Sequence, residues 1–339
     1  MKKPTLEMLA KMAGVGVATV DRVLNERGGV SPEKAKKVLI AAQSLGLKRI
    51  LPDVYQHPWQ IEVILSANIS HFFQTMAREF SQIADTLGYR RITLHRTFFP
   101  ENQPEKLAEH LYQCCDKRDG IVVFAQDYPV IYEALAHCKT RDVPVITIVT
   151  DLPDAARLCH VGINQLQAGR TAGLMMSKML NQPGEVIMVS GSFDYRAHRQ
   201  RIEGFRDVMQ QHATHIILQE VLSGLDDRAI IATLLEQSLQ RSKNVVGIYN
   251  TGLGNSEIGK LLDNYNLSGK CTFITYELYS VTRSQLQNDI LSMALDQNAR
   301  QHAQLATELL LRHLESGLMP DTYSDGKVDF RLVTPENFD

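Results

Sequence analysis

A chain of 339 residues, 44% of them hydrophobic, is long enough for two or three folded domains. Its net charge of −2 hides an asymmetry, because residues 1–51 carry +6 and the remainder −8. That pattern puts a small phosphate-seeking head before an acidic body. The five cysteines have no CxxC spacing and read as reduced, buried thiols, which excludes a disulfide scaffold. No apolar run is long enough for a membrane span, and Lys2-Lys3 leads into an amphipathic segment rather than a signal-peptide core, so the expected setting is the cytoplasm.

The segment from Thr5 to Asn25 predicts two short helices joined by a tight turn. Thr5 caps the first, Leu6, Leu9 and Ala10 form its apolar face, and Gly14 supplies the turn. The second runs from Val17 to Leu24 and buries Val20, Val23 and Leu24, leaving Val17, Ala18, Asp21, Arg22 and Asn25 outward. A helical hairpin on a glycine turn is common outside DNA-binding proteins, and spacing alone does not decide the matter. The next segment does. Ser31-Pro32-Glu33 is a helix start, and Ala35, Val38, Leu39, Ala42 and Leu45 form a third stripe ended by Gly46. A three-helix basic unit of this kind is the helix-turn-helix of DNA-binding proteins, with Arg22 as the cation able to read a guanine edge.

Residues 47–60, with Pro52 and Pro58, read as a linker. From Ile61 short apolar strands alternate with amphipathic helices. Strands are expected at 61–66, 91–96, 120–125 and 143–149, with helices at 72–87, 103–115 and 128–140 between them. Helix 165–181 opens a second series, with strands at 185–191, 215–222, 244–250, 271–277, 290–295 and 328–333. Helices are expected there at 197–211, 226–240, 254–265, 279–288 and 298–316. The fold class is therefore an all-α head followed by an α/β body of two tandem doubly wound parallel-sheet lobes. The sequence holds no P-loop or GxGxxG, and GLGN at 252–255 lacks the third glycine. His212 and His215 fall at a strand rather than on one helix face. No nucleophile-base arrangement has supporting context, so no enzyme, cofactor or metal is expected.

AGVGVATVDRVLN, followed by VSPEKAKKVLIAAQSLG, resembles the N-terminal signature of the LacI/GalR family of bacterial repressors, and the body resembles ribose-type periplasmic sugar-binding proteins. The resemblance implies a homodimer on a near-palindromic double-stranded DNA operator, with Val17, Ala18 and Arg22 facing bases. It places Thr5, Gly16, Thr19 and Asn25 near phosphate or in support of the helix. Gly16 and Asp21 depart from the serine usual in the family. Gly16 lacks a hydroxyl donor to phosphate, and Asp21 is repelled by the DNA backbone unless it pairs with Arg22 or a lysine. The family also wedges a hinge-helix leucine into the minor groove. Leu51 is the counterpart here, but the Pro-Asp and His-Pro steps after it favour an irregular linker. The implied division is a head at 1–47, a linker at 48–60 and a body at 61–339. Within the body, about 61–160 plus 291–322 form the first lobe, and about 161–290 plus 323–339 the second.

The same resemblance places a ligand in the cleft between lobes, at the carboxyl ends of strands. Asn68, Phe72, Phe73, Asp127, Arg201, Asn250, Glu277 and Gln297 match the family's sugar-binding positions, with Asp151 and His198 as further candidates. Carboxylates, amides and an arginine suit vicinal hydroxyls, and flat rings suit the C–H faces of a sugar. Each residue also has a plainer role. A phenylalanine can be core, Asp127 or Glu277 a helix cap, and Arg201 an ion-pair partner. Glu277 replaces the usual aspartate and points to a ligand other than ribose. Thr251 replaces an aspartate that mainly supports structure. The polar density favours a sugar or polyol effector that controls operator binding. A nucleobase corepressor is the alternative, and a solute-binding receptor without DNA binding fits the basic head least well.

Overall fold

A computed structural model of the chain describes residues 5–25, 27, 29–45, 59–87 and 92–338. Helix α1 (Leu6–Ala13) starts where the Thr5 hydroxyl accepts from the Met8 amide at 3.3 Å. It stops at Gly14, whose φ of 65° is the left-handed conformation that glycine adopts without strain. Helix α2 (Val17–Leu24) has Gly16 at its N-cap and hence no side-chain cap. Helix α3 (Pro32–Ser44) completes the head, whose core is Leu9, Val20, Val23, Val38, Leu39 and smaller neighbours. Leu51 and its linker lie outside the described residues.

The first lobe is built from β1 (Gln60–Ser66), α4 (His71–Leu87), β2 (Thr93–Phe99), α5 (Pro104–Cys114), β3 (Gly120–Val123), α6 (Pro129–Thr140), β4 (Val145–Ile148) and β5 (Cys159–Val161). Its sheet runs β2-β1-β3-β4-β5, all parallel. β3 and β4 are buried along their whole length, as a parallel sheet covered on both faces requires.

The second lobe follows with α7 (Gln165–Met179), β6 (Gly184–Ser190), α8 (Arg196–His212), β7 (Ile216–Leu218), β8 (Leu222–Ser223), α9 (Arg228–Arg241), β9 (Val245–Asn250), α10 (Asn255–Asn264), β10 (Thr272–Tyr276), α11 (Ser280–Gln287) and β11 (Met293–Asp296). After α12 (Ala299–Ser316) the described chain closes with β12 (Arg331–Val333). The sheet order is β12-β11-β10-β9-β6-β7, with β8 also on β6. Only β12 runs antiparallel in it.

Three expectations change. β5 is too short to show a pattern in sequence, and the strand expected at 215–222 is two strands. The lobe boundary expected at 291 also moves. β11 pairs in register with β10, Ile274 opposite Met293, so it belongs to the second lobe. α12 returns to the first lobe, where Leu310 lies over Gly120 of β3 and Ala303 and Ala306 share the core with Met76 and Phe80 of α4, and beyond it Thr322 accepts from the His160 amide of β5 at 3.2 Å. The chain thus crosses between lobes at 162–164, at Gln297-Asn298 and again after α12, where Lys327 bridges Gly162.

Candidate functional site

On the head, Val17, Ala18, Arg22 and Asn25 are exposed and Thr19 is half-buried. Thr5 spends its hydroxyl on the α1 cap. Asp21 points to Arg27 and Asn25. Its carboxylate pairs with Arg27 at 2.9 Å and accepts from the Asn25 amide at 2.7 Å, which neutralises the charge that DNA would repel. Arg22 lies over Gly29, where a Cβ would come within 2.9 Å of Nη2. Gly29 has φ of 71°, so it serves both the turn and the arginine's position.

In the body, the carboxyl ends of both sheets face each other across a cavity of about 120 Å³, several times the roughly 10–15 Å³ that one water needs. From the first lobe, Asn68, His71, Phe72, Phe73, Glu101 and Phe124 line it. Ser66 donates to Glu101 and accepts from the Asn68 amide at 2.9 Å, which fixes this corner. Burial raises the Glu101 carboxyl above its ordinary value. Phe73 packs edge-on against Phe124 at 4.6 Å, and Phe124 stacks on Tyr195 of the other lobe at 5.2 Å. Phe72 is only 5% exposed and also belongs to the core.

From the second lobe come Tyr195, His198, Arg201, Asp226, Asn255, Tyr276, Glu277, Tyr279 and Gln297. Arg201, 3% exposed, donates from Nε to Gln165 at 2.7 Å, from Nη1 to the Thr251 carbonyl at 2.9 Å and from Nη2 to Gln297. Its guanidinium sits 3.9 Å from the Tyr276 ring centroid. Gln297 in turn donates to Glu277, and Gln165 donates to the Val149 carbonyl at 3.0 Å. A buried polar chain therefore links the first lobe to the second through two of the crossings. Arg201 is its centre and positions the site as much as it lines it.

Burial, then the nearby Asp296, pushes the Glu277 carboxyl up to about 8, so at neutral pH it carries a proton and offers an O–H donor. Burial holds His198 neutral, down to about 4, beside the Thr251 hydroxyl at 3.0 Å. His71 stacks on Tyr279 across the cleft, centroids 5.1 Å apart and planes 17° apart.

Asp127, Asn250 and Asp151 do not join this cavity. Asp127 is exposed, accepts from the Tyr132 hydroxyl at 2.8 Å and pairs at 2.8 Å with Arg199 of α8, bridging the lobes outside the cavity. Asn250 is fully buried and donates to the Gly252 and Leu253 carbonyls and to Asn255, so it holds the turn after β9. Asp151 pairs with Arg157 at 2.9 Å. Glu101, Asp226, Asn255, Tyr195, His71 and Tyr279 were not anticipated. Glu101 and Tyr279 lie two and three residues beyond strand ends, the signal that could have found them.

Among known proteins, residues 61–318 match the profile of a periplasmic binding protein domain, and residues 5–49 that of bacterial regulatory proteins, lacI family. The ribose operon repressor of Halalkalibacterium halodurans is 28% identical over 239 residues, 68% of each chain. The HTH-type transcriptional regulator DegA of Bacillus subtilis is 25% identical over 269 residues, 77% of this chain and 70% of that one. A solute-binding protein from Burkholderia graminis, solved in complex with D-arabinose, has the same fold at a TM-score of 0.76 and 20% identity, covering 83% of this chain and 97% of that one.

Proposed function

The chain belongs to the lacI family of bacterial regulatory proteins, with a periplasmic binding protein domain as its body, and from that premise we propose that a sugar or polyol in the interlobe cleft controls its binding to a near-palindromic DNA operator. The observation that carries this reading is a cavity whose wall is shared by two hinged lobes on the same chain as a helix-turn-helix. A ligand that touches both lobes binds one arrangement of them better than another, and the difference in affinity is what shifts the equilibrium. In the homodimer, that shift changes the spacing of the two heads over their half-sites. The regulator acts in the cytoplasm, where the operator is.

Asn68, Glu101 and Asp226 are placed to meet ligand hydroxyls, and protonated Glu277 donates to a ring or carbonyl oxygen. Phe73, Phe124 and Tyr276 offer apolar faces. A thermal-shift screen of pentoses, hexoses, polyols, their phosphates and nucleobases tests the reading, because a ligand bound only by the folded state raises Tm. The density of rings in the wall favours a second reading, a nucleobase corepressor. If only nucleobases raise Tm, that reading replaces the first.

A further inference from the structure

A second cluster of chemistry-bearing side chains lies in the first lobe, near the start of β1 and away from the cleft. His110 and Cys114 are four residues apart on α5, hence on one face of the helix, and both look onto Glu62 of β1. One ligand atom from each, His N, Cys Sγ and a carboxylate oxygen, all lie within 4.8 Å of one another. Glu62 is 1% and Cys114 3% exposed, while the His110 side chain is 24% exposed and opens the cluster to solvent.

The His110 Nε2 to Glu62 Oε1 distance is 3.2 Å. That is the long end of an N–H···O hydrogen bond, at about 2.7–3.2 Å. It matches the roughly 3.3 Å between two ligands held about 2.0–2.1 Å from a tetrahedral zinc. The other Glu62 oxygen accepts from Arg118 Nε at 2.7 Å, an outer partner of the kind that orients metal-bound carboxylates. Thr97 also donates to this carboxylate.

We propose that Glu62, His110 and Cys114 bind one zinc ion, with water as the fourth ligand. A thiolate, an imidazole and a carboxylate are a donor set that zinc accepts. Binding releases the Cys114 thiol proton to solvent and replaces the His110–Glu62 contact with two bonds to the metal. Sγ closes on the other two donors by up to about 1 Å to reach bonding distance. The ion clamps α5 to β1, the first described strand after the head.

The test is a cobalt titration of the metal-stripped full-length protein, followed by zinc competition. The proposal expects one cobalt per chain, a thiolate-to-cobalt charge-transfer band, and its loss on adding one equivalent of zinc. Cys114→Ser removes the band, and His110→Gln weakens binding about tenfold or more. His110 is partly exposed, so that variant keeps the test alive should Cys114→Ser fold poorly. Cys115 and Cys138, whose sulfurs are 3.0 Å apart in the same core, are the competing thiols. A band that survives Cys114→Ser but vanishes in Cys138→Ala would overturn the assignment, as would no stoichiometric binding at all.

Discussion

Arg201→Ala tests the polar chain at the crossings. The guanidinium is 3% exposed and satisfies three buried acceptors, on Gln165, Thr251 and Gln297. Each stranded acceptor costs about 1–3 kcal/mol, at the low end here because the adjoining cavity admits water. The lost contact with the Tyr276 ring adds about 1–2 kcal/mol. The sum is about 4–5 kcal/mol. Urea unfolding followed by circular dichroism reads this as a fall in midpoint at unchanged m. A loss below about 1 kcal/mol would refute the reasoning, because it would mean that Arg201 points into the cavity and is free of these partners.

Asp127→Asn breaks an interlobe pair whose side chains are 42% and 31% exposed, so screening limits the effect to about 1 kcal/mol or less. Ligand affinity should shift less than about fivefold, and the double reversal Asp127→Arg with Arg199→Asp should restore it. Gly29→Ala strains a backbone at φ 71° and pushes Arg22 aside, so specific operator binding should fall more than binding to random DNA in a gel-shift assay. Equal losses would place Arg22 on phosphate. Stability should also depend on pH with two opposed slopes. His160, His198 and His302 are held by burial at about 4 against an ordinary 6.5, so the unfolded chain binds more protons and stability rises with pH over that window. Glu277 is raised from 4.5 to about 8, so the folded chain binds more protons and stability falls through that window. Glu277→Gln should flatten the decline between about 6.5 and 8, and an unchanged decline would show that another group causes it.

The head was legible because its three helices are specified by local signals: a Thr5 cap, a Gly14 turn and a Ser31-Pro32 start. The alternating body was legible because most strands buried on both faces are predominantly apolar, as in β3 (GIVV). β5, with three residues, falls below the length at which a pattern exists, and the partner of β11 depends on contacts distant in sequence. The site was half legible. Phe73, Arg201, Glu277 and Gln297 do meet at the cleft. Asp127 and Asn250 match family positions, but one side chain turns to Arg199 and Tyr132, and the other to the turn it closes. A motif fixes where a residue sits along the chain, whereas the lowest-energy partner of its side chain depends on neighbours from other elements. Asp21 makes the same point, since its partner is Arg27.

The central claim is that occupancy of the cleft sets the affinity for DNA. It is tested most directly by fluorescence anisotropy of the full-length protein on its operator, with and without the ligand that raises Tm most. The account predicts about a tenfold or larger change in operator Kd, roughly 1.4 kcal/mol of coupling. It also predicts that Glu101→Gln, which alters the cavity wall and leaves the head intact, abolishes the change. A ligand that stabilises the body yet leaves operator Kd unchanged would contradict it.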